Sequence, residues 1–287
     1  MLLTGKARLA GVMGWPVGHS LSPRLHGHWL ERHGIDGAYV PLPVRPEDVE
    51  LAFAALPRLG FLGWNVTVPH KEAAFRLVDM HDPAAARMGA VNTVLVQADD
   101  RLLGCNTDGQ GFLAHLRTAA PGWDPAAGPV ALLGAGGAAR AIGVALLEAG
   151  APSLRLTNRT PERAELLARE LAALGRPVEV VPWAGRDGAL LEGAALLVNG
   201  TSLGMTGQPP LALALEALPR RAVVADLVYV PLRTGLLQAA AARGHVTVDG
   251  LGMLLHQAVP GFAHWGGVVP AVDEDLRACV LAGLAAR

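Results

Sequence analysis

Residues 130–149 read VALLGAGGAARAIGVALLEA, and this pattern predicts the fold of the second half of the chain. The apolar run Val130–Leu133 predicts a short buried strand. The glycine-rich segment Gly134–Ala139 follows directly, and an apolar run predicts a helix from about Ala138 to Ala149, which Gly150 ends. A strand, a tight glycine turn and a helix in this order predict an α/β unit with a parallel sheet.

The segment GAGGAA at 134–139 matches the pattern G-x-G-x-x-G/A in the strand-to-helix context that dinucleotide binding requires. Gly134 permits the tight turn, Gly136 lets the backbone approach a pyrophosphate, and Ala139 is small enough for close packing of helix on strand. Backbone N–H groups at the helix start can then hold phosphate. Glycines also serve ordinary turns, but this context favours a Rossmann-type dinucleotide-binding domain.

The next predicted strand, Leu154–Thr157, indicates which dinucleotide is bound. An NAD site usually places an acid after this strand to bind the ribose 2′-hydroxyl, about 20 residues beyond the glycines. Here Asn158, Arg159 and Thr160 follow instead, and Arg163 lies one helical turn further on. A guanidinium suits a 2′-phosphate, which favours NADP over NAD. Thr160 also fits the N-cap of a helix whose first residue is Pro161, and both roles are compatible.

Length and composition limit the possible classes of protein. At roughly 150 residues per domain, 287 residues predict about two domains, and 51% hydrophobic residues suffice for sizeable cores. The 24 basic and 25 acidic residues argue against a nucleic-acid or anionic-membrane partner. Two cysteines cannot form a disulfide framework, so we expect a reduced, cytoplasmic protein. We expect no membrane span and no targeting segment, because charges and glycines interrupt the most apolar stretches.

The first 110 residues predict a second α/β unit. Short apolar runs at Leu9–Met13, Ala38–Pro41 and Phe61–Val68 predict strands, and helical patterns lie between them at Pro23–His33 and Pro46–Leu56. This alternation predicts a parallel sheet here as well.

Polar clusters interrupt these apolar runs. Ser20 and Ser22 either cap the following helix, which is the commoner role of such serines, or bind a small polyhydroxylated ligand. His19, His26 and His28 lie close together in the sequence but form no known metal-binding pattern, so we predict no metal site.

Lys71 and Asp108 are the candidate catalytic pair. Lys71 is one of only two lysines and begins a predicted helix, where a cation is locally unfavourable. Asp108 precedes another predicted helix and could simply cap it. If the two meet, the carboxylate holds the ammonium and tunes its proton affinity. Such a pair can move a proton to or from an alkoxide oxygen while the dinucleotide carries the hydride.

Nine ordered motifs across nearly the whole chain resemble the shikimate dehydrogenase family. The matches are GWPVGHSLSPRLH at 14–26, NVTVPHKE at 65–72, GAVNTV at 89–94, NTDGQGF at 106–112, GAGGAARA at 134–141, NRT at 158–160, NGTSLGM at 199–205, DLVYVPLRTGLL at 226–237 and GLGMLLHQA at 250–258.

The resemblance implies two α/β domains flanking a cleft: a substrate-binding domain at 1–109, an NADP-binding Rossmann domain at 110–250 and C-terminal helices at 251–287 that return to the first domain. It implies reversible, NADPH-dependent reduction of 3-dehydroshikimate to shikimate by a monomer or homodimer, with Lys71 and Asp108 as catalytic residues. The implied substrate residues are Ser20, Ser22, Thr67, Asn92, Asp108, Tyr229 and Gln257. The implied cofactor residues are Gly134, Ala135, Gly136, Gly137, Ala138, Asn158, Arg159, Thr160, Arg163, Met205 and Gly250.

Two alternatives remain open at this stage. A quinate/shikimate dehydrogenase that uses NAD has a related sequence, but Arg159 and the paired serines disfavour it. A non-catalytic dinucleotide-sensing module needs the glycine loop but not Lys71 and Asp108, so the presence of both residues disfavours that interpretation.

Overall fold

Two units make up the computed structural model of this chain, which describes residues 3–285. Unit 1 comprises Met1–Thr107 and Gln257–Arg287, and unit 2 comprises Asp108–His256. In the described residues the strands are β1 Arg8–Gly14, β2 Gly37–Pro43, β3 Phe61–Val66, β4 Met80–His81, β5 Thr93–Val96, β6 Leu102–Cys105, β7 Val130–Leu133, β8 Leu154–Thr157, β9 Val178–Val180, β10 Leu196–Asn199, β11 Val223–Asp226 and β12 Thr247–Val248. The helices are α1 Ser22–Arg32, α2 Val49–Ala55, α3 Lys71–Leu77, α4 Pro83–Met88, α5 Asp108–Ala119, α6 Gly137–Glu148, α7 Pro161–Ala172, α8 Gly235–Ala242, α9 Gly250–Gln257, α10 Val259–Gly266 and α11 Glu274–Ala285.

The sheet of unit 1 has the strand order β2-β1-β3-β5-β6-β4 and is mixed. The predicted parallel arrangement is confirmed for β1, β2 and β3. It is wrong for β5, which runs antiparallel to both β3 and β6. Only residues 97–101 connect β5 to β6, a link too short for the crossover that a parallel pair needs. The link closes as a turn in which the Gln97 N–H donates to the Arg101 carbonyl at 2.8 Å.

The sheet of unit 2 has the strand order β12-β11-β10-β7-β8-β9, and every pair is parallel. Numbered from β7 as the first strand, this is the 3-2-1-4-5-6 order of the Rossmann fold. The predicted α/β class, with a Rossmann-type second domain, is therefore confirmed. Chain order reverses between β7 and β10, and such switch points are where open α/β sheets bind ligands.

Helix boundaries differ from the predictions at several ends. The predicted helix Pro46–Leu56 begins with a 3₁₀ turn at Pro46–Asp48 and continues as α2. The predicted helix Pro23–His33 begins and ends one residue earlier. Shifts of one or two residues are usual where helix ends fray or tighten.

Aromatic packing joins the carboxyl-terminal helices to the amino-terminal residues within unit 1. The aromatic cluster consists of His26, Trp29, Tyr39, Phe262 and Trp265, all of them buried. The His26 and Tyr39 rings are stacked with their centroids 3.9 Å apart. Buried aromatic side chains contribute large apolar areas, so this cluster stabilises the packing of α1 and β2 against α10.

A buried carboxylate ties together two loops at the carboxyl ends of β10 and β11. Asp226 Oδ1 accepts from Asn199 Nδ2 at 2.8 Å and from the Val228 N–H at 3.0 Å, and its Oδ2 accepts from Thr234 Oγ1 at 2.6 Å. The Asn199 amide oxygen in turn accepts from the Thr201 N–H and hydroxyl. Burial raises the pKa of Asp226, and the three hydrogen bonds oppose that rise. One side chain thus fixes the residues that follow both strands.

We predict that Asp226→Ala lowers the free energy of unfolding by about 3 kcal/mol, because it leaves several buried donors without an acceptor. Denaturant unfolding of both variants measures the change. The matched control is Asp187→Ala. Asp187 is half-buried, accepts one hydrogen bond, from the Ala214 N–H, and lies 3.8 Å from the Arg186 guanidinium. Equal small losses of stability in the two variants would contradict the anchoring role of Asp226.

Candidate active site

The predicted substrate residues of unit 1 lie next to strand ends that share one edge of its sheet. Parallel pairing places the carboxyl ends of β1 and β3 at the same edge. Antiparallel pairing of Asn65 with Thr93, and of Thr93 with Cys105, brings the start of β5 and the end of β6 there as well. The residues that follow β1, β3 and β6, and those that precede β5, are therefore far apart in sequence but lie at the same edge.

The two candidate serines differ in their surroundings. Ser22 is buried and begins α1, and the N-cap position before it is held by Leu21, which makes no side-chain cap bond. The Ser20 hydroxyl accepts from the Ser22 backbone N–H at 3.2 Å. The local capping role considered for these residues therefore falls to Ser20, and Ser22 does not cap the helix.

Thr67 and Lys71 follow β3 at the same edge. The Thr67 N–H donates to the Met13 carbonyl at 2.8 Å. A Cβ at Gly14 would lie 2.5 Å from Thr67 Cγ2 and 3.2 Å from the Val68 carbonyl oxygen, so a side chain at position 14 would push the segments after β1 and β3 apart. Lys71 is half-buried and is the first residue of α3, which confirms the predicted position at a helix start.

Asn92 is held by a buried set of polar side chains. Its Oδ1 accepts from the Thr107 N–H at 2.9 Å, and its Nδ2 donates to Thr107 Oγ1 at 3.0 Å. Thr107 Oγ1 also lies 3.4 Å from Gln257 Oε1, so the predicted residues Asn92 and Gln257 meet around one threonine. Sequence analysis did not select Thr107 or Asn65. The signal available for Asn65 was an amide among the apolar residues FLGWNV at 61–66.

In unit 2 the glycine loop follows β7 at the switch point of the sheet. Gly134 has φ +107°, and a Cβ there would lie 2.9 Å from the Gly200 carbonyl oxygen. A Cβ at Gly136 or Gly137 would meet no atom within 4 Å, so the loop leaves open space at the start of α6. No acid lies in the first turn of α6, whose N-terminus carries partial positive charge. The loop therefore presents backbone N–H groups to a space that fits a phosphate.

The residues after β8 form the next part of this edge. Arg159 and Arg163 are exposed, and neither forms an ion pair with any described residue. Asn158 Nδ2 donates to the Thr160 carbonyl at 2.9 Å. Thr160 occupies the N-cap position of α7 as predicted, but its hydroxyl makes no cap hydrogen bond. Two guanidinium groups thus stand close in sequence at the carboxyl end of β8.

The remaining candidates of unit 2 follow β10, β11 and β12. Met205 is partly exposed, and Tyr229 is half-buried in the loop that Asp226 anchors. Gly250 begins α9, where a Cβ would lie 2.1 Å from the Leu227 carbonyl oxygen. Only glycine allows this contact, so Gly250 serves close backbone packing beside the β11 loop.

Asp108 is buried and is the first residue of α5 in unit 2, whereas Lys71 belongs to unit 1. Joint action of the two residues stays a prediction. Within residues 3–285, no group of three or more His, Cys, Asp or Glu side chains is arranged to hold a metal ion. Over the same range, no helix has both the length and the apolar character needed to cross a membrane.

Known proteins match this chain over almost its full length. Residues 12–94 match the model of the shikimate dehydrogenase substrate binding domain. The shikimate dehydrogenase (NADP(+)) of Paramagnetospirillum magneticum is 62% identical, over 97% of this chain and 100% of that protein.

Two solved structures have the same fold. The shikimate 5-dehydrogenase of Thermus thermophilus in complex with NADP(H) and shikimate is 38% identical, with a TM-score of 0.83 over 98% of this chain and 100% of that one. The quinate dehydrogenase of Corynebacterium glutamicum in complex with NAD is 32% identical, with a TM-score of 0.89 over 96% and 99%. The fold alone therefore does not separate shikimate from quinate enzymes. The full-length identity to the Paramagnetospirillum enzyme does assign the family: this chain belongs to the shikimate dehydrogenases.

Proposed function

We propose that this chain is an NADP-dependent oxidoreductase that catalyses the reversible reduction of 3-dehydroshikimate to shikimate, a step toward chorismate and the aromatic amino acids. The observation that carries the proposal is the full-length identity of 62% to a shikimate dehydrogenase (NADP(+)). The gathering of the motif residues at the carboxyl-end edges of the two sheets supports it.

The residues of unit 2 fit NADP. The open space beside Gly136 and Gly137 accommodates a pyrophosphate at the start of α6. Arg159 offers planar donors to the 2′-phosphate, and Arg163 adds positive charge. We assign the dinucleotide to residues 110–250, with Ala135, Ala138, Asn158, Thr160, Met205 and Gly250 completing its contacts.

The residues of unit 1 fit a substrate with one carboxylate and several hydroxyls, because they offer neutral hydroxyl and amide groups. We assign Ser20, Ser22, Thr67, Asn92 and Gln257 to substrate binding, with Asp108 and Tyr229 contributing from unit 2. Residues 1–109 and the helices after residue 250 would then bind the substrate.

NADPH, when bound, supplies the hydride that reduces the C3 carbonyl carbon. In our proposal the Lys71 ammonium gives a proton to the oxygen of that carbonyl as negative charge develops on it. The Asp108 carboxylate holds the ammonium in position for the transfer. Oxidation of shikimate reverses these steps, with neutral Lys71 accepting the hydroxyl proton.

We place the enzyme in the cytoplasm, where free cysteines stay reduced. Cys105 and Cys279 are both free thiols, and burial raises the pKa of Cys105 to about 12, which keeps that thiol unreactive.

Initial rates of shikimate oxidation at alkaline pH test the proposed reaction, with NADP and NAD in parallel and quinate as a second substrate. We expect strong turnover only with shikimate and NADP. Comparable rates with quinate or NAD would indicate the quinate/shikimate class. Folded protein that binds NADPH but turns over none of the four pairs would indicate a dinucleotide-sensing module.

We predict that Lys71→Ala lowers kcat by roughly 10²- to 10⁴-fold, the usual contribution of a positioned general acid. Binding of NADPH, measured by fluorescence titration, should stay nearly unchanged. Lys6→Ala is the matched control, because Lys6 is the one other lysine of the chain and is exposed. Wild-type turnover in Lys71→Ala would rule out the proposed role.

We predict that Arg159→Ala raises KM for NADP by about tenfold or more, because a charge-assisted contact to the 2′-phosphate is lost. KM for NAD, which lacks that phosphate, should not rise. Arg169→Ala supplies the control, since Arg169 is an exposed arginine on α7 away from the strand ends. A parallel rise of KM for both dinucleotides would count against 2′-phosphate recognition by Arg159.

A further inference from the structure

Tyr39 lies in β2 with its hydroxyl group deep in unit 1, and none of the nine motifs includes it. The ring is held on one face by His26, whose centroid is 3.9 Å away in a nearly parallel plane. Burial lowers the pKa of His26 to about 3, so this stacking partner is neutral near pH 7. Stacking therefore fixes the position of the Tyr39 ring and, with it, the position of its hydroxyl group.

The Tyr39 hydroxyl donates to Asn65 Oδ1 at 2.6 Å. Burial raises the pKa of Tyr39 well above its ordinary value, so the hydroxyl keeps its proton. The single hydroxyl proton is therefore committed to Asn65, and this bond fixes the orientation of the Asn65 amide.

A series of hydrogen bonds continues from Asn65 in β3 through Thr93 in β5 to Asn92. Asn65 Nδ2 donates to Thr93 Oγ1 at 3.0 Å. Thr93 Oγ1 donates to Asn92 Oδ1, also at 3.0 Å. Every side chain that takes part in this series of hydrogen bonds is buried, so water does not replace a hydrogen bond that is lost there. The orientation of the Asn92 amide is therefore coupled to the Tyr39 hydroxyl.

We propose that Tyr39 is a positioning residue, whose buried hydroxyl orients the Asn92 side chain for shikimate through Asn65 and Thr93. This inference rests on the proposed function, in which Asn92 binds the substrate. Tyr39 itself acts through its neighbours, so its removal affects substrate binding more than the chemical step.

The test is Tyr39→Phe, which removes the hydroxyl and keeps the ring stacked on His26. We expect KM for shikimate to rise roughly fivefold, the factor that corresponds to the net loss of one hydrogen bond. KM for NADP and kcat should stay within about twofold of wild type, since neither the dinucleotide residues nor Lys71 is touched. An equilibrium titration with shikimate should show the same rise in Kd.

Thr93→Val provides a second variant, which interrupts the same series of hydrogen bonds two bonds away from Tyr39. It should also raise KM for shikimate, and the double variant should raise it by less than the product of the two single effects, because the residues act through one path. The matched control is Trp29→Phe. It removes a hydrogen bond of the aromatic cluster, from Trp29 Nε1 to the Ala271 carbonyl, and leaves intact the hydrogen bonds that connect Tyr39 to Asn92. We expect it to lower the Tm and leave KM for shikimate unchanged.

A wild-type KM for shikimate in Tyr39→Phe, in an enzyme that turns over shikimate, would overturn this inference and leave the proposed function intact. Equal rises of KM for shikimate and NADP would also overturn it, because they would indicate general loosening. A wild-type chain with no shikimate turnover would overturn the proposed function and the inference together.

Discussion

Parallel hydrogen bonding between neighbouring strands determines where the functional residues of this chain meet. In unit 2, Leu133 at the end of β7 pairs with Thr157 and with Asn199, the last residues of β8 and β10. The segments that follow these strands therefore start side by side, although more than sixty positions separate the first from the last. In unit 1 the same pairing aligns the ends of β1 and β3. Reversing any of these strands would move its loop to the opposite edge.

Close approach of the loops sets a second condition, which glycine satisfies. A Cβ at Gly134 would lie 2.9 Å from the Gly200 carbonyl oxygen, and one at Gly200 would lie 3.0 Å from the Leu133 carbonyl oxygen. In unit 1, a Cβ at Gly14 would lie 2.5 Å from the Thr67 methyl group. Buried polar groups then fix the strand ends and loops in detail: Asp226 through its three donors, and Asn65 and Thr93 through the hydrogen bond between them. Packing brings the loops together, and these hydrogen bonds select one conformation of each.

Sequence reasoning predicted the features that local pattern controls. The run VALLGAGG specified strand, turn and helix start because each depends on residues within a few positions of one another. The antiparallel β5 was not predicted, since its direction follows from a five-residue link and from pairing with a strand 28 positions away. For a similar reason, the sequence did not identify Tyr39 or Asp226 as important. Their importance comes from partners such as Asn65 and Asn199, which only the folded chain brings near.

Amide hydrogen exchange of the protein with and without ligands tests most directly whether the carboxyl-end edges of the two sheets bind them. We predict that NADP slows exchange at residues 134–139 and 158–163, and that shikimate slows it at residues 14–22 and 67–71. Segments at the opposite edges, such as 149–153 and 193–195 in unit 2 and 57–60 in unit 1, should not change. Slowing confined to those opposite-edge segments, or no change at saturating ligand, would contradict binding at the carboxyl-end edges.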